Sequence, residues 1–205
     1  MTALAYLVLL ATAVRAGLGL VAGPGPDDRR RVPVATVTAL VVVGVPTLLQ
    51  LTVVPALLGQ LGRDRAAIGD GQVWRLVTSL VVQDGGVAGS VFNLAALAVV
   101  GVVAERVWGA RRWAVVALAS GVLAQLWGLV VQPVGAGNSV AVFGLAASVA
   151  AVALRSGDRV SRLFGAASLL VGVALLVAGD IHGGAAVVGA AVAAALLALD
   201  RRSRR

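Results

Sequence analysis

Long apolar stretches alternate with short polar breaks along the chain, and this pattern predicts membrane-spanning helices. A helix needs about 20 apolar residues to cross the hydrocarbon core of a bilayer. Seven stretches are candidates: Ala3 to Ala22, Val34 to Leu58, Val87 to Ala104, Trp113 to Val131, Ser139 to Leu154, Leu163 to Ala178 and Ile181 to Leu199. Pro46 and Pro55 predict a kink in the second stretch, or its early end. The pattern therefore predicts an all-α membrane protein, a polytopic helical bundle.

The composition supports this class and removes several others. Hydrophobic residues make up 60% of the chain and charged residues 13%, and a soluble domain this apolar would aggregate. All 17 basic residues are Arg, and with the abundant Ala, Val and Gly this is typical of GC-rich bacterial genomes. The absence of Cys and the single His exclude disulfides and a histidine-rich metal site, and we expect no cofactor.

The arginines lie in short clusters between apolar stretches and form no aromatic-basic platform, so they indicate membrane topology and no nucleic acid partner. Basic residues favour the cytoplasmic side of a membrane. The clusters follow the first, third, fifth and seventh stretches: Arg29, Arg30 and Arg31; Arg106, Arg111 and Arg112; Arg155, Arg159 and Arg162; Arg201, Arg202, Arg204 and Arg205. We therefore expect a multi-pass protein of the cell membrane with its N-terminus outside and its C-terminus in the cytoplasm.

This topology places Ser139 and His182, each at the start of an apolar stretch, near the outer face at matching depth. A Ser in such a position is commonly a helix cap, whereas an ionisable side chain within a membrane tends to be functional. Both helices carry small residues on the face below these two side chains, which allows close approach of their backbones. The face below His182 carries Ala185, Gly189 and Ala193, and the face below Ser139 carries the small residues Ala146 and Ala150 together with Phe143. The two side chains are therefore predicted to meet as nucleophile and base.

Four motifs give the chain a family resemblance. They are Trp74-Arg75-Leu76-Val77-Thr78; Asn93 followed by Gly101, Glu105 and Gly109; Gly137-Asn138-Ser139; and His182 with Gly189. Together they resemble the rhomboid intramembrane serine proteases. The resemblance covers 34–199 as a six-helix core, and leaves 1–33 as an additional transmembrane helix with an Arg-rich loop and 200–205 as a basic cytoplasmic tail.

The resemblance implies an endopeptidase that cleaves the transmembrane helices of other proteins in the bilayer. Ser139 would be the nucleophile and His182 the base of a dyad, and the Ser139 N–H and Asn93 would hold the oxyanion. No carboxylate is obviously placed to orient the imidazole. Asp180, two residues before His182, is the one candidate to act on the ring, and we interpret it instead as a helix-start acid. Glu105 is expected to tie helix ends together near the inner face. Trp74 and Arg75 are expected to anchor the external loop at the membrane interface.

Three departures from the family pattern leave an alternative open. Gly89 and Gln83 stand where the family often has His, and Val140 replaces the second Gly of the nucleophile motif. These changes favour a catalytically silent relative that binds transmembrane helices, whereas the presence of both Ser139 and His182 favours a protease. A solute transporter or channel is disfavoured, since few ionisable residues lie at mid-membrane and no inverted repeat is evident.

Overall fold

The computed structural model describes residues 2–22 and 32–203. Six helices form the bundle: α1 (Thr2–Val21), α2 (Val34–Thr52), α6 (Gly86–Val131), α7 (Ser139–Ala153), α8 (Arg159–Val177) and α9 (Ile181–Arg202). The connection from α2 to α6 holds α3 (Leu57–Leu61), β1 (Arg63–Asp64), α4 (Arg65–Gly69) and α5 (Arg75–Thr78), and β2 (Val134–Gly135) precedes α7. Among the described residues, five helices are long and apolar enough to cross a membrane. The predicted all-α polytopic membrane fold is confirmed.

Helix α6 contains two of the predicted stretches, which meet at Gly109. Gly109 has φ +72°, a left-handed conformation that favours glycine, and it interrupts the helical backbone. The second half of α6 returns along the first half. A hydrogen bond from Trp113 Nε1 to the Gly101 carbonyl, at 3.0 Å, joins the two halves. The Gly101 and Gly109 positions of the motif therefore act in building this helical hairpin.

Helix α2 stops at Thr52 and does not reach Leu58, so the predicted end of the second stretch is wrong. Pro55 lies just beyond the end of the helix, where its fixed φ and missing N–H oppose continuation. Pro46 lies inside the helix. The early end that the two prolines predicted is thus confirmed.

Helix α7 lies at the centre of the bundle, since 11 of its 15 residues are buried. It packs against α1, α6, α8 and α9. The surrounding helices expose large apolar side chains, among them Leu48, Leu163 and Leu170, on the side that would face lipid. At 15 residues, α7 is also shorter than the spanning helices around it.

Helix α1 packs into the bundle between α6, α7 and α8. A Cβ at Gly17 would collide with Val103 of α6 and with Val149 of α7. Ser168 of α8 donates its hydroxyl to the Leu9 carbonyl at 3.1 Å. Leu9 is fully buried, so the first helix contributes to the core of the bundle.

Glu105 fastens α6 to the start of α2. Its Oε1 accepts from the Ala35 N–H at 2.9 Å, and its Oε2 accepts from the Thr36 N–H and hydroxyl, both at 2.8 Å. These are N–H groups that the first turn of a helix leaves without an intrahelical partner. The prediction that Glu105 ties helix ends together is confirmed.

Arg75 has a different role from the one predicted. Its side chain is buried, and its Nη1 donates to the carbonyls of Gly59 and Gly62 at 2.9 and 2.7 Å. It therefore holds the connection between α2 and α6 in shape from within, and its prediction as a membrane-interface anchor is wrong. Trp74 beside it is 54% exposed, as an interfacial residue would be.

The topology prediction rests partly on residues that the structure does not describe. Arg29, Arg30 and Arg31 lie outside the described ranges, as do Arg204 and Arg205. The remaining clusters flank the Gly109 bend, span the connection from α7 into the start of α8, and occupy the last turn of α9. The orientation of the bundle in the membrane stays a prediction.

Candidate active site

Ser139 is the first residue of α7, and the segment before it is held by the connection between α2 and α6. Strands β1 and β2 pair antiparallel, with Arg63 opposite Gly135. Gly137 then donates its N–H to the Ser79 carbonyl at 2.8 Å. Gly137 has φ +143°, a conformation that residues with a Cβ seldom adopt. The glycine before the serine thus sets the turn that brings Ser139 to the helix start.

His182 is the second residue of α9, where small residues allow tight packing. A Cβ at Gly183 would collide with the Leu176 backbone, and one at Gly184 would collide with Trp127. Asp180 caps the helix by accepting the His182 N–H at 2.8 Å. These contacts fix the start of α9 against α8 and the second half of α6, and with it the imidazole.

The structure brings Ser139 and His182 together. The Ser139 Oγ lies 2.9 Å from His182 Nε2, which is a hydrogen-bond distance. Below this pair, α7 and α9 touch backbone to backbone, since a Cβ at Gly189 would collide with the Gly144 carbonyl. The predicted close approach of the two helices is therefore confirmed, while the catalytic roles of the two side chains stay predictions.

Asp180 faces the other nitrogen of the imidazole. Its Oδ1 lies 2.8 Å from His182 Nδ1, in addition to accepting the His182 backbone N–H. Burial alone would raise the pKa of the Asp180 carboxyl, but the hydrogen bonds from His182 and Tyr6 outweigh burial and hold that pKa below its usual range. The expectation that no carboxylate orients the imidazole is wrong, because Asp180 both caps α9 and contacts the ring.

Tyr6 of α1 is a further member of the site, and the sequence did not predict it. Its hydroxyl donates to Asp180 Oδ2 at 2.5 Å. Its ring centroid lies 4.4 Å from that of His182 and 5.1 Å from that of Phe143. Phe143 in turn packs against the imidazole at 4.5 Å. The imidazole therefore packs against two aromatic rings that also contact each other, one from α7 and one from α1.

Asn93 belongs to a ring of three amides beside Ser139. Asn93 Nδ2 donates to Gln83 Oε1 at 2.8 Å, Gln83 Nε2 donates to Asn138 Oδ1 at 2.9 Å, and Asn138 Nδ2 donates to the Asn93 carbonyl at 3.3 Å. Gln83 is fully buried, and the Gln50 side chain of α2 pairs with both its backbone N–H and its carbonyl. Gln83 thus holds the Asn93 amide in a defined orientation.

A small space adjoins these groups because Gly137 has no side chain. The point where its Cβ would lie is 3.3 Å from Asn93 Nδ2, 3.6 Å from Ser139 Oγ and 3.2 Å from Gln83 Oε1. An amide donor and the serine oxygen therefore border the same space. Gly89 lies in open surroundings, since within the described residues no atom beyond the backbone of its own helix is within 4 Å of its would-be Cβ.

This space is part of a cavity of about 170 Å³ that contains the Ser139 and His182 side chains. Its walls include aromatic and polar residues from α1, α6, α7 and α9 and from the connections that precede α6 and α7. The lining consists of Tyr6, Arg63, Asp84, Phe92, Asn93, Gln125, Gln132, Ala136, Gly137, Ser139, Val140, Phe143, Ile181 and His182. Val140 is 2% exposed, so the residue that departs from the motif packs into the wall.

The polar wall opposite the aromatic rings is itself ordered by hydrogen bonds. Arg63 is buried, donates from Nε and Nη2 to the Gln132 carbonyl, and contacts Gln125 Oε1 with Nη1. Asp84 accepts the Ala136 N–H at 2.9 Å. A cavity so rich in polar groups within an apolar bundle can hold water next to Ser139.

The fold and these contacts define a polytopic membrane protein with a serine and a histidine in hydrogen-bond contact at the head of two adjacent helices. Comparison with known families finds a match to the Rhomboid domain over residues 70–203. The chain therefore belongs to the rhomboid family.

One curated relative is the Rhomboid protease GluP of Bacillus subtilis (strain 168), with 34% identity over 104 residues. The alignment covers 50% of this chain and 20% of that relative, so the two share only a part of the longer protein. No solved structure gave a significant match.

Proposed function

We propose that the protein is an intramembrane serine protease that cleaves the transmembrane segments of other membrane proteins. The observation that carries the proposal is the 2.9 Å contact between Ser139 Oγ and His182 Nε2 inside a cavity. Membership of a family that includes the protease GluP supports it. The reaction class is acyl transfer from a peptide carbonyl to serine and then to water.

In the first half of the reaction, Ser139 attacks the scissile carbonyl carbon while His182 Nε2 accepts the hydroxyl proton. The carbonyl oxygen becomes an oxyanion, for which Asn93 Nδ2 and the Ser139 N–H at the helix start are the donors. His182 then gives its proton to the leaving amine as the C–N bond breaks. The products are a free amine and an ester on Ser139.

In the second half, water in the polar part of the cavity attacks the ester. His182 accepts a proton from that water and returns it to the Ser139 oxygen as the ester bond breaks. The substrate carboxylate is released and both side chains return to their starting states. Arg63, Gln125 and Gln132 lie in the cavity wall where this water would be held.

The single most direct test is labelling of the detergent-purified protein with a fluorophosphonate probe, which reacts with activated serines. We expect labelling that Ser139→Ala abolishes and that Ser148→Ala leaves intact. Ser148 is a matched control, because it lies on the same helix but donates its hydroxyl to the Leu145 carbonyl within it. Labelling that persists in Ser139→Ala would overturn the assignment of the nucleophile.

A second candidate is a catalytically silent protein that binds transmembrane helices. The departures at Gly89 and Val140 favour it, since Gly89 contributes no side chain to the site and Val140 adds a branched one to the wall. It would hold single-span proteins without cleaving them. Copurification of intact single-span reporters with the unmodified protein, together with absence of probe labelling, would favour this candidate.

A further inference from the structure

We propose that Asp180 and Tyr6 are positioning residues that complete the active site: Asp180 holds the imidazole in one tautomer, and Tyr6 holds Asp180. This inference rests on the proposed function and extends it. Tyr6 lies on α1, outside residues 70–203 that match the family model. The first helix would therefore contribute to catalysis as well as to packing.

The tautomer follows from the chemistry of the two partners of the imidazole. An ionised carboxylate can only accept hydrogen bonds, so the 2.8 Å contact with Asp180 Oδ1 requires the proton on Nδ1. The neutral ring then presents the lone pair of Nε2 to the Ser139 hydroxyl at 2.9 Å. This is the tautomer that a general base needs here. The reverse tautomer would point an N–H at the nucleophile.

The position of Asp180 is fixed from three directions. Its Oδ1 accepts the His182 N–H, its Oδ2 accepts the Tyr6 hydroxyl at 2.5 Å, and its carbonyl accepts Trp127 Nε1 at 3.3 Å. The hydroxyl of Tyr6 is the contact among these that comes from α1. Without it, Asp180 Oδ2 loses its charge-assisted partner.

The Tyr6 ring also limits where the imidazole can turn. The Tyr6 ring centroid lies 4.4 Å from that of His182, and the Phe143 ring centroid lies 4.5 Å from that of His182. Helix α1 cannot shift easily, because Gly17 packs closely on α6 and α7 and the Leu9 carbonyl accepts from Ser168. The packing of α1 thus fixes the Tyr6 phenol, and the phenol in turn restrains the imidazole of His182.

The expected effects differ in size for the two residues. Removing the carboxylate that orients a catalytic histidine lowers turnover by about 10⁴ in the best-studied serine proteases, so Asp180→Ser should cost roughly 10²- to 10⁴-fold. Tyr6→Phe keeps the ring and removes one hydrogen bond to a charged group, which corresponds to about a 10- to 100-fold loss.

The experiment uses the full chain in detergent and exploits its single histidine. With ¹⁵N-labelled histidine, the ring nitrogen shifts report the His182 tautomer without interference, and fluorophosphonate labelling reports the reactivity of Ser139. Ser at position 180 can still cap α9 but is too short to reach the ring. Asp158→Ser is the matched control, because Asp158 caps α8 through the Val160 and Ser161 N–H groups and faces no imidazole.

We expect the unmodified protein and Asp158→Ser to show the proton on Nδ1 and rapid labelling. Asp180→Ser should show mixed tautomers and slow labelling, and Tyr6→Phe should label at an intermediate rate. An unchanged tautomer and labelling rate in Asp180→Ser would overturn the proposal. If Asp180→Ser does not fold, Tyr6→Phe decides it, since labelling at the unmodified rate would overturn the role of α1.

The same data separate this proposal from the proposed function. If the unmodified protein is not labelled at Ser139, the protease assignment fails, while the tautomer of Asp180→Ser still shows whether the carboxylate positions the ring. If Ser139 is labelled but Asp180→Ser keeps the Nδ1 proton, the positioning role alone fails.

Discussion

The side chain of Asn93 donates to Gln83 Oε1 at 2.8 Å, so the amide assigned to the oxyanion is held by a residue from the connection before its own helix. Gln83 is fixed in turn by Gln50 of α2, whose side chain pairs with the Gln83 backbone at 2.7 and 2.8 Å. Gly89 contributes no side chain here. The side-chain part of the proposed oxyanion site therefore depends on Asn93.

Asn93→Ala should lower kcat by a factor of about 100 to 1,000, the usual result of losing one oxyanion donor. Cleavage of a reporter by the purified protein measures the effect. Ser90→Ala, about one turn earlier on α6, is the control, because Ser90 donates only to the Gly86 carbonyl of its own helix. An unchanged rate in Asn93→Ala would mean that backbone N–H groups suffice.

Ser139 and His182 should behave as one unit. Ser139→Ala, His182→Ala and the double variant should lose reporter cleavage to the same extent, because each removes the activated nucleophile. The assay expresses each variant in a bacterial membrane with single-span reporters that carry Gly or Pro near their outer ends. Additive losses, or cleavage by Ser139→Ala, would contradict a shared mechanism.

The contact between α7 and α9 predicts that Gly189→Ala separates the catalytic pair. The new Cβ would collide with the Gly144 carbonyl, and such overpacking costs roughly 1–3 kcal/mol. We expect a lower thermal unfolding midpoint in detergent and slower probe labelling. Gly44→Ala in α2 is the matched substitution, since in the part of the chain that the structure describes no neighbouring element comes within 4 Å of its would-be Cβ. Equal behaviour of the two variants would refute the packing argument.

The arginine clusters predict the orientation of the bundle. Reporters fused after Arg31 and Arg205 should be cytoplasmic, and one inserted after Gly71, in the connection between α2 and α6, should be external. Gly71 suits insertion because none of the described residues apart from its chain neighbours comes within 4 Å of its would-be Cβ. A cytoplasmic signal from the Gly71 site would place Ser139 and His182 at the inner face.

Much of the fold could be predicted because its signals are local. Apolar length identifies each span, Pro55 marks the end of α2, and Gly109 marks the bend of α6. The meeting of Ser139 and His182 followed from matching depth and small residues on both helices. Each of these features is visible within one stretch of sequence.

The parts that were missed depend on which helices become neighbours. Tyr6 lies 174 positions before Asp180, and nothing in its own stretch indicates that α1 reaches the site. One feature of the sequence could have indicated this contact. The chain has a single Tyr, and a phenol in an apolar helix needs a hydrogen-bond partner. The sequence places Arg75 beside Trp74, a residue type that suits a membrane interface. The Arg75 side chain instead donates to carbonyls of the connection between α2 and α6.

The shortness of α7 limits the shape of what Ser139 can receive. Fifteen residues span about 22 Å, less than the roughly 30 Å of the hydrocarbon core, so α7 is too short to reach both faces, and we expect Ser139 at its head to be recessed below the outer one. A helical substrate keeps its peptide carbonyls hydrogen-bonded within itself and covered by side chains. An extended segment leaves those carbonyls free to approach Ser139 in the cavity before it. We therefore expect the rate of cleavage to rise with the tendency of a substrate segment to leave the helical state. The site would then select its substrates by the instability of their helices more than by any one side chain.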